Sequence, residues 1–173
     1  MRDSYSYDIK LTLWDMFVFL MKHEYSSFSG LFGLCVSVFA IVGLAMGWAG
    51  EDSNMFFVYI VIARMFTVLN PLRLFMSAAQ QLSKNPTFQT AITYSFDEEG
   101  VHLRQGELAN DNKWEELSKL AKGRSIMVLY VSKKIGYILP KSALGSEYDE
   151  VAEYINTHME AAKAAEKEEG SDE

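Results

Sequence analysis

The chain has 173 residues, a formal net charge of -7 and 49% hydrophobic residues, concentrated between residues 26 and 76. The acidic balance disfavours nucleic-acid binding, and the length outside the apolar segments leaves room for one soluble domain. The one cysteine, Cys35, excludes an intrachain disulfide and a cysteine metal cluster.

The N-terminal stretch changes its hydrophobic period near Leu11. Before that residue, apolar side chains alternate with smaller or polar ones from Tyr5 onward, which predicts a strand with one buried face. Thr12 and Asp15 then have the spacing of a capping box, so residues 13–25 are predicted to form a short helix. We interpret this helix as an interfacial elbow; the alternative is that it extends the following apolar segment.

Two apolar segments, 26–50 and 55–76, are long enough to cross a bilayer as helices, and the first contains no acidic or basic side chain. They predict a membrane α-hairpin of two transmembrane helices. The link 50–54 carries acids and no base, whereas basic residues flank the outer ends, which predicts a multi-pass protein of the bacterial inner (plasma) membrane with both termini cytoplasmic. A signal peptide is the rival interpretation of the first segment, but its n-region would be long and a second span follows at once. The flanking bases are Lys10, Lys22, Arg73 and Lys84.

Small residues form one face of the first predicted span. Small faces let a neighbouring backbone approach closely, and Gly43 with Gly47 forms a G-x-x-x-G pair. Two interpretations stay open: packing against the second span within the chain, which is favoured, or a homodimer through Gly43 and Gly47. The small face consists of Gly30, Gly33, Ser37, Ala40, Gly43 and Gly47. The expected partner face on the second span consists of Tyr59, Ala63 and Thr67.

Arg64 is the most unusual residue of the second span, because it lies about 15 Å along the predicted helix, near the middle of the membrane. Such a charge costs about 2.5 to 3.5 kcal/mol on insertion scales. Neither span contains an acid that could pair with it. Arg64 is therefore a candidate binding residue for a ligand, lipid phosphate or oligomer contact, with simple snorkelling as the alternative. The Asn70-Pro71 pair, further along, predicts a kink or an exit from the helix.

The remainder of the chain has the pattern of a β domain closed by a helix. An alternating strand is predicted over 88–96, a turn and a returning strand follow, then a polar loop around 110–112 and two more strands before residue 141. A helix opening near Ser146 places an apolar face over the sheet. This order predicts an α+β, pleckstrin-homology-like domain, an antiparallel half-barrel capped by a C-terminal helix. Because such a fold uses seven strands, residues 5–11 are expected to supply an extra one.

This region contains four short motifs: Tyr94-Ser-Phe96-Asp-Glu-Glu-Gly100-Val, Trp114-Glu-Glu-Leu117, Leu129-Tyr130 and Tyr137-Ile-Leu-Pro140-Lys141. Together they resemble the YcxB-like family of bacterial membrane proteins. The resemblance implies a two-span hairpin followed by a pleckstrin-homology-like domain, and it implies no reaction or ligand. Arg64 and the acidic C-terminal tail lie outside the motifs.

Residue types that would indicate catalysis are scattered, since His23, His102 and His158 lie far apart in sequence and no metal spacing or phosphate loop is present. No enzymatic activity, cofactor or metal is expected. Trp114 is interpreted as a core residue and Pro140 as the end of an edge strand.

The candidate binding residues of the domain are basic. They are expected to meet at the open end of the barrel, where they could face anionic headgroups, with solvated loop lysines as the alternative. A protein or peptide partner would instead add to an exposed strand edge. These residues are Lys119, Lys122 and Arg124 in one predicted loop, and Lys133 and Lys134 in a hairpin turn.

The sequence therefore predicts a membrane-anchored cytoplasmic binding or adaptor module, non-catalytic, whose partners are the lipid bilayer and an unknown protein or peptide. The alternative is a membrane-surface sensor or self-protection protein that recognises anionic lipid or a membrane-acting peptide. The predicted divisions are 1–27, 28–76, 77–160 and an acidic tail, 161–173. Residues from Glu166 onward are expected to be disordered, because they have little apolar area to bury.

Overall fold

The computed structural model describes residues 4–50, 52–132 and 135–169, of which 166–169 are described by backbone alone. The chain divides into two compact units. The first, Met1–Asp15 with Leu82–Glu173, is called the sheet unit below; the second, Met16–Gln81, is called the hairpin unit. The N-terminal strand thus belongs to the same unit as the C-terminal half of the chain.

Helix α1, Leu13–Tyr25, begins at the predicted capping box. The amide and hydroxyl of Thr12 donate to the Asp15 carboxylate at 3.0 and 2.6 Å, and the Asp15 amide donates to the Thr12 hydroxyl. Helix α2, Phe28–Ala45, starts separately after Ser27, whose hydroxyl accepts from the Gly30 amide. A helix break at Ser26 and Ser27 thus separates α1 from the first apolar span, so α1 does not simply extend it.

The antiparallel partner of α2 is a long helical segment that begins with α3, Ser53–Arg64, capped by the Asp52 carboxylate. A π-helical turn, Met65–Leu69, follows, and α4, Asn70–Lys84, continues from it. Two segments, Phe28–Ala45 and Ser53–Lys84, are long and apolar enough to cross a membrane. Of the kink or exit predicted at Asn70-Pro71, the exit is not observed, because helical structure continues through both residues.

The π-helical turn accounts for this continuity. The Asn70 amide donates to the carbonyl of Met65, five residues earlier, instead of to Phe66. If the same five-residue spacing continued, the Phe66 carbonyl would accept from the amide of residue 71, but Pro71 has no N–H. The Phe66 carbonyl accepts instead from the Tyr25 hydroxyl at 2.5 Å. The helical irregularity therefore lies one turn before the proline.

Helices α2 and α3 pack through small residues. Gly30, Gly33, Ser37, Ala40 and Gly43 are the buried residues of α2, as the small-face pattern predicts. A side chain at Gly33 would collide with the Phe66 ring and one at Gly43 with the Tyr59 ring. Gly47 lies beyond the end of α2 in a left-handed conformation (φ 73°) and is exposed. This face is thus used within the chain, while the homodimer through Gly43 and Gly47 remains a prediction.

The opposite faces of these helices expose large apolar side chains. Phe28, Phe32 and Phe57 are 86%, 60% and 66% exposed, respectively. The smallest residues lie inside and the largest outside, which is the reverse of a water-soluble helical hairpin.

The described residues of the sheet unit form seven strands in two antiparallel sheets. The first sheet has the order β1-β2-β3-β4 and the second β5-β6-β7. Strand β1 supplies the expected extra strand, pairing with β2 from Tyr5↔Phe96 to Ile9↔Ile92. The strands of the first sheet are β1 Tyr5–Ile9, β2 Ile92–Phe96, β3 Gly100–Gln105 and β4 Leu108–Lys113; those of the second are β5 Lys119–Lys122, β6 Ile126–Tyr130 and β7 Gly136–Pro140.

The C-terminal helices cover this unit. Helix α5, Lys141–Leu144, leads through a 3-10 turn into α6, Tyr148–Glu169. The predicted apolar face of α6 is buried in one core with Phe96, Leu129 and Trp114. The buried residues of that face are Tyr148, Val151, Ala152, Ile155 and Met159.

Three sequence-based expectations in the sheet unit are wrong. The strand predicted from Phe88 begins at Ile92, because Pro86–Phe88 forms a 3-10 turn capped by Asn85. The predicted polar loop around 110–112 is part of strand β4. Because the residues of β4 are mostly exposed and polar, they do not show the alternation of apolar and polar side chains that marks most strands. The tail predicted to be disordered from Glu166 continues α6 as far as Glu169; residues 170–173 lie outside the described part of the chain.

Candidate functional site

The candidate site is built on the β3–β4 hairpin. A two-residue turn, Gly106-Glu107, joins the strands, with Gly106 in the left-handed region at φ 59°. This turn sets the register that places His102 opposite Asp111 and Arg104 opposite Ala109. Because alternate residues of a strand share a face, His102 and Arg104 lie on the same side of the sheet.

His102 lies between two carboxylates. Its Nδ1 is 2.7 Å from an oxygen of Asp111, and its Nε2 is 3.1 Å from an oxygen of Asp97. Arg104 donates to the same Asp111 oxygen at 2.6 Å. Only a doubly protonated imidazole can donate to both acids at once. The four side chains form a charge-balanced group on the outer face of the sheet, called the His102 cluster below.

The pKa values of the cluster follow from these contacts. The hydrogen bond with Asp111, followed by that with Asp97, raises the pKa of His102 above its ordinary value of 6.5 against the effect of partial desolvation. Arg104 and then His102 hold the pKa of Asp111 below its ordinary value. Desolvation acts to raise the pKa of Asp97, but the hydrogen bonds from His102 and two backbone amides lower it overall. The cluster therefore favours the charged form of each group.

Asp97 is held in place by the β2–β3 turn. Its carboxylate accepts from the amides of Glu99 and Gly100 at 3.0 and 3.2 Å. Its backbone carbonyl accepts from the indole N–H of buried Trp114 at 3.0 Å. Trp114 is thus a core residue, as predicted, and it also fixes one wall of the candidate site.

The other face of β4 carries an amide ladder. Asn110 donates to the Tyr137 hydroxyl at 2.7 Å, and that hydroxyl donates to Asn112 at 2.5 Å. The Glu116 carboxylate accepts from the Asn112 side chain and from the Lys113 backbone amide. A cleft of about 490 Å³ opens beside this end of β4. It is lined by Glu99, His102, Asp111, Asn112, Lys113 and Glu116.

The basic residues predicted as a site are distributed differently from the expectation. Lys119 and Lys122 are the two ends of strand β5, and do not lie in a loop. They are three positions apart along the strand, which corresponds to about 10 Å. The Nζ atom of Lys119 lies 5.2 Å from the centre of the Tyr130 ring. Lys122 forms an ion pair with Asp149 and lies 5.9 Å from the centre of the Tyr148 ring.

Arg124 is exposed in the turn after Lys122. Lys133 and Lys134 lie outside the described residues. Among the described basic residues, Lys119 pairs with Tyr130 at the end of β6, whereas Arg124 precedes the start of that strand.

Arg64, the candidate residue of the hairpin unit, ends α3 next to the π-helical turn and is exposed. Among the described ion pairs of this unit, Arg73 with Glu24 at 3.8 Å is present and none includes Arg64. Its position agrees with a charge that faces away from the α2–α3 interface.

Sequence reasoning missed the His102 cluster. The three histidines are scattered in the sequence and indicate no cluster. Asp97, His102 and Asp111 are brought together only by the register of three strands. The available signal was Gly106 between two polar runs, which marks a hairpin turn and would have made residues 108–113 a strand.

The similarity to known proteins lies in this same part of the chain. The model of the family described as YcxB-like protein matches residues 96–155, from the end of β2 into α6. This segment is YcxB-like. The match confirms the resemblance predicted from the sequence motifs and includes every member of the His102 cluster. No curated protein matches the chain. The YcxB-like segment covers 60 of the 173 residues and lies entirely within the sheet unit.

Proposed function

We propose that the protein is a membrane-anchored, non-catalytic binding module, in which the hairpin unit spans a bacterial inner membrane and the sheet unit presents a binding surface in the cytoplasm. The inverted packing of α2 and α3 carries this proposal. Leaving one large apolar side chain in water instead of burying it costs roughly 1.5 to 3 kcal/mol. Outward residues such as Phe28, Phe32 and Phe57 would accumulate that cost, and a hydrocarbon environment removes it.

The sheet unit supports a binding function through its architecture. Its four-stranded and three-stranded antiparallel sheets with a C-terminal helix have the strand number and order expected of a pleckstrin-homology-like half-barrel, and we propose that fold class for it. Folds of this kind present strand edges to peptides and proteins.

A non-catalytic role fits the contacts of the His102 cluster. Ser95 is the cross-strand neighbour of His102, but its hydroxyl lies 3.0 Å from the hydroxyl of Ser6. The Nε2 atom of His102 faces Asp97 and not a nucleophile. The imidazole is thus held as a charged structural group between acids, which does not suit a general base.

The alternative of an anionic-lipid sensor has less support. Lys122 is already paired with Asp149, and Lys119 and Arg124 lie toward opposite ends of the second sheet. A headgroup-binding surface would need these charges together and uncompensated.

Alkaline carbonate extraction of membranes that contain the full chain tests the anchoring. We expect the protein to stay in the pellet and to float with lipid in a density gradient, as an integral protein does. Release into the supernatant, with no flotation, would remove the basis of the proposal.

A further inference from the structure

Strand β4 is an exposed sheet edge. Among the described residues it pairs with β3 and with no other strand. Five of its six residues are exposed, and Leu108 at its start is 71% exposed. An edge of this kind offers unpaired backbone groups to an added strand.

The hairpin register identifies which backbone groups point outward. The residues that close a two-residue hairpin, Gln105 and Leu108, form a hydrogen-bonded pair, and pairs then alternate along an antiparallel ladder. Ala109 and Asp111 accordingly direct their N–H and C=O groups away from β3.

Two observations at the far end of β4 agree with this alternation. A side chain added at Gly100 of β3 would collide with the carbonyl oxygen of Asn112, which therefore points inward. The amide of Lys113 points outward, where the Glu116 carboxylate accepts it at 3.0 Å. Glu116 thus closes one end of the edge, and the outward groups of Ala109 and Asp111 stay exposed.

The charge around this edge favours a basic partner. Three carboxylates line the adjoining cleft, against one lysine and one imidazole. The imidazole and Arg104 are already compensated by Asp97 and Asp111 within the His102 cluster. Lys113 forms an ion pair with Glu115 at 3.8 Å, outside the cleft lining. The carboxylates of Glu99 and Glu116 therefore remain as the net negative charge at the cleft.

We propose that β4 is the docking edge of the binding module and that it takes an extended, basic peptide segment of a partner protein, paired with the backbone of Ala109 and Asp111. A Lys or Arg side chain of that segment enters the cleft between Glu99 and Glu116, and an apolar side chain covers Leu108. This inference rests on the proposed binding function and names its partner class.

The test uses the full chain in nanodiscs of zwitterionic lipid, so that the peptide does not adsorb to the bilayer. The probe is a short fluorescent peptide of alternating lysine and valine, and its binding is measured by anisotropy. Ala109→Pro removes one outward N–H at a site where a sheet edge tolerates proline, so the fold is kept. We expect it to weaken binding about tenfold or more. Ala109→Ser, which retains the N–H, is the matched control and should bind as the wild type does.

Charge and position are tested separately. Glu99→Gln and Glu116→Gln should each weaken the lysine peptide several-fold, and a peptide with glutamate in place of lysine should not bind. In hydrogen exchange, the peptide should protect the amides of Ala109 and Asp111, while those of Asn110 and Asn112, already paired with β3, should change little.

Three results would overturn the inference: equal binding by Ala109→Pro and Ala109→Ser, protection of another edge such as β5 in place of β4, or peptide-independent dimerisation through β4. A protein that resists carbonate extraction but gives any of these results loses the β4 assignment alone. Release from the membrane would instead remove the proposed function.

Discussion

The hydroxyl of Ser37 in α2 accepts a hydrogen bond from the backbone amide of Phe66, at 3.2 Å. The same hydroxyl donates to the carbonyl of Ile62 at 2.7 Å. In an uninterrupted α-helix, the Phe66 amide would donate directly to the Ile62 carbonyl. Ser37 is therefore inserted into the opened backbone ladder, and it joins α2 to the opposing helical segment where the π-helical turn begins.

Ser37→Ala should destabilise the hairpin unit by about 0.6 to 1.7 kcal/mol, the range of polar contacts between membrane helices. The reason is that two backbone groups lose their partner where water does not replace it. The measurement is unfolding of the hairpin in mixed micelles, followed by circular dichroism. Cys35→Ala, at an exposed position of the same helix, is the control and should leave the midpoint unchanged. Equal midpoints for the two variants would contradict the role assigned to Ser37.

Strand β1 should be essential to the sheet unit although it lies at the opposite end of the sequence. Tyr5 is buried, and its hydroxyl donates to Glu150 of α6 at 2.6 Å. We expect Tyr5→Ala to cost about 3 to 5 kcal/mol, as for other buried aromatic truncations. Limited proteolysis in urea measures this loss. Ser6→Ala, on the exposed face of the same strand, should stay within about 0.5 kcal/mol of the wild type. Unchanged protease resistance of the Tyr5 variant would mean that β1 contributes little.

The His102 cluster should make the stability of the sheet unit depend on pH. Because the pKa of His102 is raised in the folded state, its contribution is fully present below about pH 6.5 and is lost as the pH rises through the folded pKa. Asp97 and Asp111 have lowered pKa values, so their contribution is present above their ordinary value of 3.8 and is lost in stronger acid. Between about pH 3.8 and pH 6.5, the melting temperature of the wild type should therefore be higher than that of His102→Gln. At alkaline pH the two melting temperatures should converge. A difference that grows above neutral pH would contradict the assigned protonation.

Arg64→Leu should increase the fraction of inserted hairpin, because an apolar side chain replaces a charge that costs about 2.5 to 3.5 kcal/mol at the centre of a membrane helix. Insertion is measured by glycosylation-site mapping of the second span. Arg64→Lys keeps the charge and loses the planar guanidinium that binds phosphate or carboxylate in a bidentate manner. If Arg64 only snorkels, the Arg64→Lys variant should keep the partner contacts of the wild type. Loss of these contacts in both the Leu and the Lys variant would indicate a specific anion. Reduced insertion of the Leu variant would contradict the membrane position of Arg64.

The sequence predicted well those features that repeat with a regular period. The small face of α2, the apolar face of α6 and the alternation from Tyr5 to Ile9 each bury one side of an element, and each is confirmed. Strand β4 was not predicted, because its residues Asn110 to Asn112 are polar on both faces and show no alternation of apolar and polar side chains. The register of β4 is set by Gly106.

The candidate site depended on pairings between distant residues, which local patterns do not report. Asp97 and Asp111 meet at His102 only after three strands are aligned. The basic residues, by contrast, were grouped by their closeness in sequence, and β5 then placed Lys119 and Lys122 at opposite ends of one strand. The π-helical turn was also beyond local reasoning: Pro71 indicated an irregularity, but its position depends on Ser37 and Tyr25 of other helices.

Cysteine-accessibility labelling in intact cells tests the central claim most directly, namely that the hairpin unit spans the membrane and holds the sheet unit inside. In a Cys35→Ser background, single cysteines are introduced at Ser53, in the exposed first turn of α3, and at Ser146, exposed in the sheet unit. A membrane-impermeant maleimide should label Ser53→Cys in intact cells, and Ser146→Cys only after the cells are opened. Labelling of Ser146→Cys in intact cells, with protection of Ser53→Cys, would contradict the account.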